Sequence, residues 1–204
     1  INKIHKKIQL NPEEYFKNPF LQLNASSNFP IYYKAVLQFP RVDYAESGTS
    51  NGFHVNKSIR NIDGSQDIKV GDLVKVTIDI EKDKTGQSRR YRYIVIDDPL
   101  PAGLVAINSS IKTEEVVPEN DEDSYTEDGA RVLVPSFQEI RDDRVLIFRD
   151  SNIWDGKYQY SYYARATTEG QFVLPSTKAQ LMYSPQVMGL TPKSIVNIKA
   201  SQVR

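Results

Sequence analysis

No cysteine occurs anywhere in the 204 residues. Disulfides, thiolate metal sites and a cysteine nucleophile are thereby excluded from this chain, while the compartment stays open because many envelope proteins also lack the residue. Histidine is nearly absent too: His5 and His54 stand far apart, and each reads as a surface or strand residue rather than a metal ligand. There is no net charge. The 26 basic residues balance 26 acidic ones, so no bulk field draws the chain to nucleic acid or to an anionic membrane. No apolar run approaches the roughly 20 residues that cross a bilayer, and no signal peptide is present. A chain beginning at Ile1 reads as an excerpt or processed product, with any export signal or membrane anchor upstream.

Motifs that carry chemistry are missing as well. The chain holds no Gly-x-Ser-x-Gly, Ser-x-x-Lys, His-Glu-x-x-His, P-loop or Gly-x-Gly-x-x-Gly, and no pattern pairs two carboxylates for acid–base work. Arg141-Asp142-Asp143-Arg144 could be imagined as catalytic, but alternating charges ahead of an apolar strand read more simply as ion pairs or a turn. Between Glu114 and Asp128 there are eight acidic residues and no basic one. That run reads as a solvated loop. As a calcium site it lacks the sixth-position glycine and distal glutamate of an EF-hand loop. The expectation is a non-enzymatic chain without cofactor or metal.

What the chain does have is β pattern. Hydrophobic residues make up 39%, with 12 tyrosines and 8 phenylalanines, enough to bury a core. Period-2 alternation predicts strands at Ile31–Phe39, Phe53–Ile59 and, most clearly, across Val74, Val76, Ile78 and Ile80. Tyr91–Asp97, Leu104–Ile107, the fully apolar Val145–Phe148 and Ser194–Lys199 follow. Tyr158, Tyr160, Tyr162, Ala164 and Ala166 share one face of a strand that turns at Thr168-Glu169-Gly170 and returns through Gln171–Pro175. Asp63-Gly64 marks a tight turn, residues 43–52 a polar loop, and Asn11–Phe16 a capped helical turn. The segment after Pro175, with Leu181-Met182-Tyr183 at its centre, reads as neither clean strand nor clean helix. Eight or nine strands and no long helix predict an all-β antiparallel sandwich of two sheets, immunoglobulin-like or fibronectin-III-like. Residues 1–40 are assigned to a lead-in that can hold the last strand of a preceding β module, and 41–204 to the sandwich.

Three ordered stretches resemble the C-terminal region of bacterial alpha-2-macroglobulins. Ile96-Asp97-Asp98-Pro99-Leu100-Pro101-Ala102-Gly103-Leu104 looks like that family's strand ending in Asp-x-Leu-Pro-Ala-Gly. Glu139 to Val145 is similar to its Arg-Asp-Asp-Arg-Val segment. Tyr163-Ala164-Arg165-Ala166 through Gly170 and Pro175 to Met182-Tyr183-Ser184-Pro185 and Gly189 resembles Tyr-x-x-Arg-Ala-x-x-x-Gly, then Pro, then Met-Tyr-x-Pro. The resemblance covers roughly residues 29–200. It departs at Thr177–Leu181, where the family has Ala-Tyr-Ala-Glu-Asp, and at Met188 and Leu190, where basic residues often stand.

The resemblance implies a macroglobulin-like module of a large protease-trapping inhibitor of the periplasm or cell envelope. Its thioester would sit on a separate domain outside this chain, and Met182 and Tyr183 would shield it. Asp98, Pro99, Pro101, Gly103, Arg141, Asp142, Asp143, Arg144 and Gly170 would be structural. Partners would be other domains of the same parent, thioester domain included, and target proteases, with membrane contact only through an upstream anchor. A second reading is a surface adhesin or carbohydrate-binding sandwich that stacks sugars on Trp154, Tyr158 and Tyr163.

Overall fold

Val74, Val76, Ile78 and Ile80 are all fully buried in the computed structural model of the chain. It describes residues 48–83, 91–107 and 124–201, together with Ser26, Asn28, Pro30 and Tyr32. The chain divides into two units, Ile1–Pro40 and Arg41–Arg204. In the first unit the four described residues are all exposed. The helical turn expected at 11–16 and, Tyr32 apart, the strand expected at Ile31–Phe39 lie outside the described residues, as do residues 108–123 with most of the acidic run.

The described part of the second unit is built of strands. In order they are β1 (Thr49–Asn51), β2 (Phe53–Asn61), β3 (Ile68–Lys69), β4 (Leu73–Lys82), β5 (Ile94–Pro99), β6 (Leu104–Ala106) and β7 (Arg131–Val132). There follow β8 (Phe137–Ile140), β9 (Arg144–Arg149), β10 (Lys157–Ala166), β11 (Gly170–Leu174), β12 (Lys178–Leu181), β13 (Ser184–Leu190) and β14 (Ser194–Lys199). One sheet runs β1-β13-β12-β5-β9-β8. The other runs β2-β4-β10-β6, with β7 beside β10. A third, small sheet of β11-β14-β3 departs from the expected two. Pairings are antiparallel except β10 with β7 and β14 with β3.

The inner faces form one core. From one side come Val74, Val76, Ile78 and Ile80 of β4 and Tyr158, Tyr160, Tyr162 and Ala164 of β10. From the other come Ile94 and Ile96 of β5, Val145 and Ile147 of β9 and Ala179 of β12. Each buried Val or Ile contributes about 1.5–3 kcal/mol by leaving water, so these rows drive the fold. The antiparallel all-β sandwich expected from the alternation is therefore the fold observed.

Several local expectations are corrected. Thr49–Asn51 belongs to the polar loop expected at 43–52, yet it pairs with β13 as an edge strand. The strand expected at Tyr91–Asp97 begins at Ile94, because Tyr93 takes a left-handed backbone conformation, φ 57, that breaks the extended run. The irregular segment after Pro175 is a β-hairpin, β12 and β13, with a bulge between Gln180 and Leu181. Its pattern hides in the sequence because two of its most buried positions, Ala179 and Gly189, are small. A Cβ at Gly189 would sit 2.2 Å from the Phe53 carbonyl oxygen, so β2 approaches too closely for any side chain there.

Gly103 has the same kind of reason. A Cβ there would meet Phe172 at 2.4 Å and Ile198 at 2.7 Å, where β11 and β14 close over the turn after Pro101. Gly64, at the Asp63 turn, has a φ of 85 and open space around it. We expect Gly103→Ala to cost about 1–3 kcal/mol through overpacking, read as a lower urea midpoint at unchanged slope. A Gly103→Ala protein as stable as wild type would show that Phe172 yields.

Candidate functional site

The hairpin after Pro175 places Met182 and Tyr183 at its two-residue tip. Both project from the fold: Met182 is 46% exposed and Tyr183 78%. Behind them lies Tyr93. Its carbonyl accepts the Met182 N–H at 2.8 Å, extending by one bond the ladder in which Leu181 pairs with Ile94. Its ring meets the Tyr183 ring edge-on, centroids 5.2 Å apart at 85°. The Arg92 guanidinium lies over the Tyr93 ring at 5.0 Å and donates from Nε to the Asp150 carbonyl.

The stem of the hairpin is tied differently. Thr177, just before β12, and Thr191, just after β13, exchange bonds. The Thr177 N–H donates to Thr191 Oγ1 at 2.9 Å and the Thr191 N–H to the Thr177 carbonyl at 3.0 Å. Thr177 Oγ1 then donates to Asp98 Oδ1 at 2.5 Å inside the core. Asp98 is fully buried, and Lys57 Nζ of β2, also buried, reaches it at 2.5 Å. Lys57 donates to the Pro99 carbonyl at 3.1 Å, and Tyr162 Oη of β10 donates to Asp98 Oδ2 at 2.6 Å. Burial pushes the Lys57 ammonium below its usual pKa, with Asp98 opposing the shift. Burial, reinforced by the Asp98 charge, pushes the Tyr162 phenol up. These residues can hold a hairpin rigidly; none is arranged as nucleophile and base.

Residues 52–186 match the family model described as the bacterial alpha-2-macroglobulin MG10 domain. The chain belongs to that family. The alpha-2-macroglobulin homolog of Nostoc sp. is 25% identical over 216 residues, covering 91% of this chain and 10% of that protein. Native alpha-2-macroglobulin from Escherichia coli, solved from domain MG7 to the C-terminus, matches with a TM-score of 0.56. It is 23% identical and covers 74% of this chain and 24% of that one. The trypsin-activated Escherichia coli protein gives 0.60 at 21% identity, over 75% of this chain and 11% of that one. These structures share the fold. The chain spans about a tenth of the length of the Nostoc relative.

Within this MG10 fold the sequence motifs meet in two places. Asp97, Asp98 and Pro99 pair along β5 with Leu146, Val145 and Arg144. Arg141 to Arg144 form the β8–β9 turn, closed by the Arg141 N–H to the Arg144 carbonyl at 2.9 Å. Arg144 bridges Asp97 at 3.1 Å and Asp143 at 3.0 Å, and Arg141 reaches Glu139 at 2.8 Å. Asp142 is exposed. The Leu100 N–H donates to the Asp143 carbonyl, docking this turn on the Pro99–Pro101 segment. Gly103 lies under Phe172, and Gly170, with φ 142, opens β11 beside the same ring. Met182 and Tyr183 stand apart from both groups, at the Ile94 end of β5.

The stacking platform of the second reading is not assembled. Trp154 is half-exposed, but Tyr158 is buried, because it alternates with Tyr160 and Tyr162 toward the core. Tyr163 points to the opposite face of β10.

Tyr93, Thr177, Lys57 and Tyr162 were not among the expected site residues. Lys57 carries a signal: it shares a strand face with Phe53, Val55 and Ile59, where a lysine must either be exposed or find a partner. Asp98→Asn leaves that buried cation uncompensated and should cost about 3–5 kcal/mol. Tyr162→Phe removes one bond to a charge and should cost about 1.5–3 kcal/mol. Urea unfolding of both variants checks the order; a near-neutral Asp98→Asn would mean the pair is solvated.

Proposed function

We propose that this chain is a non-enzymatic module of a bacterial protease-trapping alpha-2-macroglobulin. The tip Met182-Tyr183 would cover the reactive thioester of a neighbouring domain in the same parent. The observation that carries the reading is the projection of this pair from its own fold, which any cover for another domain requires. A thioester is an electrophile that water hydrolyses, so excluding water suppresses the side reaction. Tyrosine supplies a broad ring with a polar tip, and methionine a soft chain that fills irregular gaps. Membership of the family supports the parent's role. Target proteases would be caught by the parent rather than by this domain, in the periplasm or cell envelope.

Methylamine incorporation by the full-length parent tests the reading. Wild type should take up amine only after proteolysis. The Met182→Ala/Tyr183→Ala variant should take it up, or hydrolyse, beforehand, on the order of tenfold faster for each 1.4 kcal/mol of protection lost. A variant as inert as wild type before proteolysis, or a wild type that never incorporates amine, would sink the shielding role.

A further inference from the structure

Tyr93 is the one non-glycine residue with positive φ among the described residues. For a bulky side chain this conformation is an outlier that persists only where the surroundings hold it. What holds it here is also what it holds. Its carbonyl closes the ladder onto Met182. Its ring supports Tyr183 edge-on and carries Arg92 on its face. Arg92 is itself fastened to the Asp150 carbonyl at the end of β9. Tyr183 is thus an exposed side chain resting on a ring that the fold fixes in place.

We infer that Tyr93 is a positioning residue for the tip, setting the direction in which Met182 and Tyr183 project. This rests on the reading of the tip as a cover, which it deepens. An exposed aromatic on a two-residue turn has many orientations open to it. An edge-on ring contact restricts them, and the Met182 bond fixes the backbone beneath. A displacement of about 1 Å in such an element is enough to matter for a group that must close over a reactive bond.

Two variants of Tyr93 in the full-length parent test the assignment. Tyr93→Asn tolerates the left-handed backbone but removes the ring, whereas Tyr93→Phe keeps the ring and loses only the hydroxyl. Hydrogen exchange at the Met182 amide in Tyr93→Asn should accelerate roughly tenfold, as expected for losing a ring–ring support, while β4 and β10 amides stay protected. Amine uptake before proteolysis should rise in parallel, and Tyr93→Phe should match wild type in both. Unchanged Met182 exchange in Tyr93→Asn overturns the inference, as does acceleration spread evenly over all strands. If Tyr93→Asn does not fold, Tyr183→Leu reads the same contact from the other side. It should release the Met182 amide, and an unmoved amide overturns the inference equally. Faster Met182 exchange in Tyr93→Asn, with amine uptake unmoved even by Tyr183→Ala, would leave the positioning intact and defeat only the shielding role.

Discussion

The buried pair of Lys57 and Asp98 constrains everything else in the sandwich. Taking both charges out of water costs several kcal/mol for each ion, and their attraction offsets this only when the remaining hydrogen-bonding capacity is filled. It is filled. Asp98 accepts from Lys57, Thr177 and Tyr162, and Lys57 donates also to the Pro99 carbonyl. The donors come from both sheets, so the carboxylate is satisfied only when β2, β5 and β10 face one another in one arrangement. A slip of one residue in β2 would turn Lys57 to solvent and strand Asp98 in the core. The pair thereby ties the register of β2 to that of β5.

From that centre β5 acts as a ruler. At one end Asp98 receives Thr177, the root of the β12–β13 hairpin; at the other, Ile94 pairs with Leu181 directly below the tip. The four-residue step from Ile94 to Asp98 spans about 13 Å of nearly inextensible strand. The hairpin is therefore fastened to one strand at its root by a buried charge and near its tip by a ladder. Only Met182 and Tyr183 extend beyond that support. A fixed stem with a projecting end is what a side chain needs to reach a partner from a defined direction.

How much of this the sequence discloses depends on whether packing leaves its mark as hydrophobicity. In β4 and β10 it does: Val74 to Ile80 and Tyr158 to Ala166 alternate, and their inner faces are buried as read. In β9 the run Val145–Phe148 is apolar on both faces, and the strand is central but one from the edge. The hairpin is hidden because close approach of β2 demands Gly189 at an inward position, paired with the small buried Ala179, and neither announces a core. The third sheet was hidden because β3 is two residues long. Asp98 stood in a legible motif, but its partner lay 41 residues away and only the topology joins them.

Tyr93 breaks a local rule, and the packing on either side of it shows what the break achieves. Had Tyr91 to Ile96 run as one strand, Tyr91, Tyr93 and Val95 would share a face, and Ile94 and Ile96 the other. The left-handed residue shifts the phase, so that Tyr91, Ile94 and Ile96 all face the core. Tyr91 then packs edge-on against Phe53 at 5.2 Å, under Lys82, while Tyr93 is released outward to meet Tyr183. Such a backbone costs about 1–3 kcal/mol. The strain lets two aromatic residues, two positions apart, serve opposite sides of the sheet: one closes the core, and the other carries the tip.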